Sequence, residues 1–262
     1  MIGAVLDRFD RYTLLARQRP AFLALFPAAV AVLAIFPSLQ NWWTALLAVV
    51  ASCGVAWALG EFAQGQGKIL EPGLFASWDG MPSVALLRHR DERIDELTKE
   101  RYKAFLEKRV AGLRFPSEEE ERRDPTTADK AYASGSNWLR TQTRDPKKFA
   151  LLLRQNIGYG FRRNLLGLRL HGIGVAAFAL VSLVTAQGLA GARIDPALIV
   201  AATVTAVALW YWLFVVRPSW VKIAADAYGR ELLESCDALA GSTTAPNRNQ
   251  QSDHQFRSRT SR

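Results

Sequence analysis

The residues best suited to acid–base or anion-binding chemistry lie close together near the middle of the chain. Asp79 and His89 supply a carboxylate and an imidazole, the groups that general acid–base catalysis most often uses. Arg88, His89 and Arg90 are followed directly by Asp91. This run favours a salt-bridged helix start. It is also consistent with a pocket for a phosphate-bearing ligand, because guanidinium groups bind phosphate oxygens through charge-assisted hydrogen bonds.

Three further arginines extend the anion-pocket hypothesis. Arg140 lies in a predicted helix, and Arg162 and Arg163 stand just before an apolar run. At that position an interaction of Arg162 and Arg163 with lipid phosphates is the simpler interpretation. The predicted anion-binding residues are Arg88, His89, Arg90, Arg140, Arg162 and Arg163, and the alternative catalytic residues are Asp79 and His89.

Other kinds of site have weaker support in the sequence. The three histidines and two cysteines are scattered along the chain, so we predict neither a metal site nor a cofactor. The segment GQGK at residues 65–68 lacks the spacing and the Ser or Thr of a phosphate-binding loop. Basic residues are interspersed with acidic ones, which disfavours nucleic acid as a partner.

The elements that must position these residues follow from the distribution of charge. Residues 61–169 contain 21 of the 33 Lys and Arg residues and 16 of the 24 Asp and Glu residues. The runs that flank this segment contain no charged residue over lengths near the roughly 20 residues that one membrane crossing needs. The sequence therefore predicts four membrane spans, at residues 21–37, 43–60, 170–190 and 196–216.

We therefore expect an all-α membrane protein with two transmembrane hairpins around a cytosolic helical domain. Tryptophans beside the predicted span ends, Trp42, Trp43, Trp210 and Trp212, fit an aromatic belt. The polar composition of the C-terminal segment predicts disorder. The predicted parts are an interfacial amphipathic helix (1–19), hairpin 1 (20–60), the cytosolic domain (61–169), hairpin 2 (170–216), a cytosolic amphipathic helix (217–240) and a disordered tail (241–262).

The distribution of basic residues predicts the orientation. Of the 33 Lys and Arg residues, Arg193 alone falls on the side of the two short loops. Basic residues accumulate on the cytoplasmic side of membrane proteins. We therefore expect a multi-pass protein of a bacterial inner membrane with both termini in the cytoplasm. Its formal charge of +9 favours anionic lipid headgroups as partners.

Local signals divide the middle segment. Frequent Gly and Pro at residues 62–90 predict an irregular loop that could include one short helix. Apolar periodicity predicts a helix at 91–113, in which Asp95 and Lys99 form a pair at helical spacing. Asp124 before Pro125, and Asp145 before Pro146, each resemble a capping residue followed by proline at the first helical position. They predict helices at 126–142 and 147–157, and Gly158 and Gly160 then interrupt the pattern.

Two sequence blocks resemble a known kind of protein. The first comprises SWDGMP at residues 77–82 and RHRD at 88–91, and the second is NIGYGFRRNLLG at 156–167. They resemble segments of uncharacterised bacterial inner-membrane proteins with two hairpins around a cytosolic domain. The resemblance covers roughly residues 20–240 and implies no particular activity. In architecture alone, the layout also resembles membrane effectors of bacterial anti-phage systems.

These observations lead to two functional hypotheses. The first is a non-enzymatic membrane-anchored sensor or scaffold, in one version a homo-oligomeric effector of a bacterial defence or stress system. Its partners would be the bilayer together with another protein or a small anionic ligand. The alternative is a membrane-interfacial enzyme that acts on a lipid or nucleotide phosphate. The predicted spans contain no Asp, Glu, Lys or Arg at mid-membrane depth, which disfavours an ion-coupled transporter.

Overall fold

The computed structural model describes residues 12–40, 42–191 and 194–244, and for residues 38, 40, 42–53, 56 and 242–244 it describes the backbone alone. The regular elements in these ranges are all helical, so the all-α prediction is confirmed for them. Most of the predicted interfacial helix at 1–19, most of the predicted tail at 241–262, and Arg193 lie outside the described residues. The aromatic-belt prediction for Trp42 and Trp43 concerns side chains that also lie outside them.

The helices follow one another with short connections. A π-helical turn, Thr13–Gln18, leads into α1, and a 3-10 turn, Pro37–Gln40, joins α1 to α2. The bounds are α1 Arg19–Ile35, α2 Trp42–Ser77, α3 Pro82–Ala85, α4 Glu96–Arg109, α5 Glu118–Arg123, α6 Pro125–Gln142, α7 Ala150–Gly167, α8 Arg169–Leu189, α9 Pro196–Phe214 and α10 Pro218–Thr244.

Three stretches in the described residues are long and apolar enough to cross a membrane. They are Thr13–Ile35, Arg169–Leu189 and Pro196–Phe214, with mean hydropathies of 1.6, 1.8 and 2.0. Helices of this length and composition are typical of a multi-pass membrane protein. They correspond to the first, third and fourth predicted spans. The residues of the second predicted span form the first half of α2.

The chain divides into two compact units. The first unit takes the described residues of Met1–Gly80 and Leu153–Ala227, and the second takes those of Met81–Leu152 and Tyr228–Arg262. Both α7 and α10 contribute residues to each unit.

The apolar helices of the first unit pack through small side chains. Ala31, Ala179 and Ala201 are buried beside Leu183 and Leu198. Gly172 makes the closest approach, since a Cβ atom there would lie 2.3 Å from the Trp212 ring. Small residues let membrane helices pack closely, where dispersion rather than water drives association. Trp212 is only 1% exposed, so this predicted belt residue packs inside the bundle, whereas Trp210 is exposed.

The second unit has a core of larger side chains from several helices. Tyr132, Leu106 and Leu139 are completely buried, and the Phe115 ring stacks on Tyr132 with centroids 5.5 Å apart. α10 adds Leu232, Leu233 and Cys236 to the same core. Burial of these apolar side chains stabilises the second unit.

The predicted loop at residues 62–90 is wrong over its first half, because α2 continues to Ser77. Gly67 lies where α2 and α7 touch, and a Cβ atom there would be 2.5 Å from Asn164 Oδ1. A glycine in a helix can therefore mark close packing of two helices rather than a loop. α2 ends where Asp79 adopts a left-handed conformation (φ 60°) and the Gly80 N–H donates to the Phe75 carbonyl oxygen, 2.7 Å away.

The predicted break at Gly158 and Gly160 is also wrong, since α7 continues to Gly167. A Cβ atom at Gly160 would lie 2.8 Å from Tyr12 Oη, so this glycine again permits a close contact. The other local predictions fare better. α6 begins as predicted, with the Asp124 carboxylate accepting a hydrogen bond from the Thr127 N–H. α4 is shorter than predicted, and Asp95 caps its N-terminus by accepting from the Thr98 N–H.

Candidate functional site

The segment of the second unit that contains residues 88–91 lies between α3 and α4 and has no helical hydrogen-bond pattern of its own. Lys99 of α4 is 2% exposed and holds this segment in place. Its Nζ atom donates to the carbonyl oxygens of Arg88, His89 and Asp91, at 3.2, 3.3 and 2.8 Å. It also forms an ion pair of 2.8 Å with Glu96, not the pair with Asp95 that helical spacing predicts. One buried ammonium group therefore satisfies three backbone carbonyls where the chain leaves the helix.

His89 is surrounded by partners on both its backbone and its ring. Its N–H donates to Glu121 Oε2 at 2.9 Å. Its Nε2 atom lies 3.0 Å from the Pro116 carbonyl oxygen and 3.0 Å from Lys103 Nζ, and its Nδ1 atom lies 3.4 Å from Glu96 Oε1. Burial lowers the pKa of Lys103 below its ordinary value, although the charge of Glu96 opposes that shift. The His89 imidazole is thus part of the internal bonding of the second unit.

Glu121 and Tyr132 form the deepest part of this cluster. Glu121 is 6% exposed and accepts a hydrogen bond of 2.7 Å from the Tyr132 hydroxyl group. Burial alone would raise the pKa of the Glu121 carboxyl group, but the hydrogen bonds from Tyr132 and the His89 N–H outweigh it and leave this pKa below its ordinary value. Burial and the bond to Glu121 raise the pKa of Tyr132. At neutral pH Glu121 is therefore ionised and Tyr132 is protonated.

Arg88 forms a two-pronged ion pair with Asp129. Its Nε atom donates to Oδ1 at 2.8 Å and its second terminal nitrogen to Oδ2 at 2.6 Å, and the arginine is only 4% exposed. Paired hydrogen bonds of this kind between a guanidinium and a carboxylate are strong and directional. An internal carboxylate therefore occupies the position at which a bound anion would meet Arg88.

The other predicted residues of the second unit are more exposed. Arg90 is exposed, and Asp91 pairs with Arg93 at 2.6 Å. Arg140 is exposed and lies 3.5 Å from Asn137 on α6. It follows Asp129 by eleven residues, or about 16 Å along the helix axis. The structure thus brings Arg88 and His89 into one cluster and leaves Arg140 elsewhere on the unit.

A second buried cluster, in the first unit, contains Arg163. Its guanidinium group donates to Glu71 Oε1 at 2.9 Å, and the Tyr159 hydroxyl group donates to the same oxygen at 2.6 Å. Asn164 accepts hydrogen bonds from Arg163 and donates to the Ala16 carbonyl oxygen at 2.8 Å. Burial, and then the bond to Glu71, raises the pKa of Tyr159. This cluster ties the π-helical turn, α2 and α7 together.

A layer of polar contacts connects the helices of the first unit at one level. Arg17 pairs with Glu61 at 3.4 Å, and the rings of Phe62 and His171 lie 5.2 Å apart. Arg169 donates to the carbonyl oxygens of Trp212 and Leu213, at 3.3 and 3.0 Å. We call this the boundary layer, and it consists of residues 17–18, 60–62, 169–172 and 212–213. Arg162 stacks on the Trp220 ring at 4.8 Å, and its side chain donates to the Trp220 carbonyl oxygen at 2.9 Å.

The predicted site residues are divided between the two units. Asp79, Arg162 and Arg163 belong to the first unit, and Arg88, His89, Arg90 and Arg140 belong to the second. The anion pocket and the catalytic pair each draw on both units, so both stay predictions. The left-handed conformation of Asp79 has a structural reason, because it ends α2.

Sequence reasoning missed the carboxylates that bind the buried cations. Glu71, Glu96 and Asp129, which pair with Arg163, Lys99 and Arg88, were not among the predicted site residues. Glu121, which accepts from Tyr132, was not among them either. One local signal was available: Ser117 and Glu120 form a capping box, which fixes the start of α5. In the described part of the chain, no group of three or more His, Cys, Asp or Glu residues could hold a metal ion.

Comparison of the chain with protein families, with curated proteins and with solved structures finds no match to any of them. The resemblance of residues 77–91 and 156–167 to bacterial inner-membrane proteins therefore stays a prediction.

Proposed function

We propose that the chain is a four-span bacterial inner-membrane protein that presents a helical domain in the cytoplasm and acts as a non-enzymatic sensor or scaffold. The observation that carries this proposal is the boundary layer. Four helical segments meet there, and three of them belong to stretches that qualify as membrane spans by length and composition.

The fourth segment is the first half of α2. A 3-10 turn reverses the chain between α1 and α2, and the two helices are in contact. Gly60 of α2 lies against Gln18, which precedes α1, since a Cβ atom at Gly60 would be 2.9 Å from Gln18 Nε2. Residues 42–60 therefore run antiparallel to α1, along its length. They contain no Asp, Glu, Lys or Arg, which supports a second crossing.

The charges around the boundary layer support the orientation. On one side of the layer, the four segments continue as helices whose residues 20–35, 42–59, 173–189 and 196–211 contain no Asp, Glu, Lys or Arg. The chain that joins α2 to α8 at the other side, residues 61–169, contains 21 of the 33 Lys and Arg residues. This excess of Lys and Arg supports a cytoplasmic location for that side.

The bonding of the buried charged groups supports a non-enzymatic role. Arg88, Lys99, Glu121 and Arg163 are buried, and each one bonds to another side chain or to backbone of its own unit. A catalytic group must instead be able to reach a substrate. Groups bonded in this way fix the shape of the helical domain, as a sensor or scaffold requires.

The four-span topology can be tested by labelling single cysteines in spheroplasts. In a Cys53→Ala, Cys236→Ala background, Leu39→Cys reports the α1–α2 turn, Ile194→Cys the α8–α9 loop and Glu119→Cys the helical domain. We expect a membrane-impermeant maleimide to label positions 39 and 194 in intact spheroplasts and position 119 only after permeabilisation. If position 39 instead behaves like position 119, residues 42–60 do not span and the four-span proposal is wrong.

The hypothesis that the sensor or scaffold is a homo-oligomer needs a separate measurement. Native mass spectrometry of the full chain in detergent should give a single multiple of the 29.1 kDa monomer mass. A monomer at all protein concentrations would contradict a preformed oligomer.

A further inference from the structure

A groove runs along the surface of the first unit between α1 and α9. It encloses about 450 Å³, and its walls include Leu23 and Phe26 of α1 and Val207, Ala208 and Tyr211 of α9. The groove lies within two of the candidate membrane spans. Its walls are almost entirely apolar, so it suits a hydrocarbon chain.

One end of the groove reaches the boundary layer, where cations lie close to it. The Tyr211 ring lies 6.2 Å from the Trp220 ring, on which Arg162 stacks. On α1, Arg19 precedes Leu23 by four residues and Phe26 by seven, so the three share one helix face. Arg19 is exposed.

No carboxylate among the described residues forms an ion pair with these two arginines. Glu61 pairs with Arg17, and Glu71 pairs with Arg163. In that part of the chain, neither Arg19 nor Arg162 has a carboxylate at salt-bridge distance. The apolar groove therefore ends at two positive charges.

We infer that the groove between α1 and α9 binds an anionic phospholipid of the surrounding bilayer. An acyl chain lies against Leu23, Phe26 and Ala208, and the headgroup phosphate accepts hydrogen bonds from Arg19 and Arg162. This inference rests on the proposed membrane topology. Charge complementarity favours a lipid over a helix of a second copy, because a phosphate can neutralise both arginines. A parallel second copy would present Glu61 at the same level, but Glu61 already forms an ion pair with Arg17.

Lipid retention by the full chain tests the headgroup contacts. Native mass spectrometry would compare phosphatidylglycerol with phosphatidylcholine of identical acyl chains. We expect the protein to retain phosphatidylglycerol about tenfold better, and Arg19→Gln with Arg162→Gln to remove most of that preference. Arg217→Gln is the matched control, because Arg217 is an exposed arginine just after α9 that packs on Phe214.

A second pair of variants tests the apolar part of the groove without changing charge. Ala208→Phe fills the groove, whereas Ala206→Phe adds the same ring to an exposed position of α9 that does not line it. We expect Ala208→Phe to reduce retention of both lipids severalfold and Ala206→Phe to leave retention unchanged.

Three results would overturn the inference. Equal retention of the two lipids by the unaltered protein would show no headgroup preference, and an equal loss in Arg217→Gln would show general attraction to anionic lipid. Loss of a dimer rather than of lipid in Ala208→Phe would assign the groove to a second copy. Cysteine labelling of the same variants separates these results from a failure of the proposed topology, which would change the labelling pattern itself.

Discussion

The two units each bury a cation, but the two cations bond to different kinds of group. In the second unit, Lys99 bonds the carbonyl oxygens of a segment that has no helical hydrogen bonds. In the first unit, Arg163 bonds the carboxylate of Glu71 and so joins side chains of two regular helices. One buried charge replaces missing secondary structure, and the other fixes how two complete helices align.

This difference has a consequence for what can replace each cation. Backbone carbonyls cannot be mutated away. Removing the Lys99 ammonium group therefore takes a donor from all three, although the Arg88 carbonyl oxygen still accepts from the Asp91 N–H. Glu71 and Arg163 can be replaced together by apolar side chains, a change that is often neutral or stabilising for buried ion pairs. A second substitution should therefore recover stability in the Arg163 cluster but not in the Lys99 cluster.

The largest effect is expected for Lys99→Met. It should lower the free energy of unfolding of the second unit by about 3 to 4 kcal/mol, because three carbonyls and Glu96 lose their donor. Denaturant-dependent reactivity of the buried Cys236 thiol, in a Cys53→Ala background, would measure this loss in the full chain. Lys108→Met on the exposed face of α4 is the control, and equal effects of the two substitutions would contradict the role of Lys99.

A slightly smaller effect is expected for Arg163→Met, at about 3 kcal/mol, because Glu71 is partly exposed and can regain some hydration. Adding Glu71→Leu should restore part of the loss, because it removes the unpaired carboxylate but also the acceptor of the Tyr159 hydroxyl group. Thermal unfolding in detergent, followed by tryptophan emission, would compare the single and double variants with Arg154→Met, an exposed arginine on the same helix. A double variant as unstable as the single one would show that the pair does more than neutralise charge.

The smallest expected effect is on how the stability of the second unit depends on pH. The folded-state pKa of Glu121 lies below its ordinary value of 4.5. The stability that comes from its ionised form is therefore fully present above pH 4.5 and is lost as pH falls through the folded-state pKa. Asp91, Glu96 and Glu120 also have lowered pKa values and add to this dependence.

Glu121→Gln keeps an acceptor for the Tyr132 hydroxyl group but removes the titration. It should make stability depend less steeply on pH between 5 and 3, measured with a thiol reagent that reacts with Cys236 under acidic conditions. An unchanged slope would assign the dependence to the other carboxyl groups.

The sequence was informative where one residue type decides the local structure. The absence of charge located the apolar helices, because a charged group inside a bilayer is costly. Asp124 before Pro125 correctly located the start of α6, because capping depends on neighbouring residues. The four-span topology and the cellular location stay predictions.

The sequence was misleading where a residue has two physical uses. Gly67 and Gly160 favour a loop if they provide flexibility, but here they let helices approach closely. The partners of the buried cations could not be predicted either. Asp129 lies 41 residues from Arg88, and Glu71 lies 92 residues from Arg163, so packing alone brings them together.

The boundary layer also sets the thickness of the hydrocarbon core that the protein would match. From this layer the helical segments continue for 17 to 19 residues before their turns, at residues 18–35, 42–60, 172–189 and 196–212. At 1.5 Å per residue these segments are about 26 to 29 Å long. A typical hydrocarbon core is about 30 Å thick, so under the proposed topology the lipids next to the protein would shorten slightly. In a membrane with regions of different thickness, we therefore expect the protein to collect in the thinner ones.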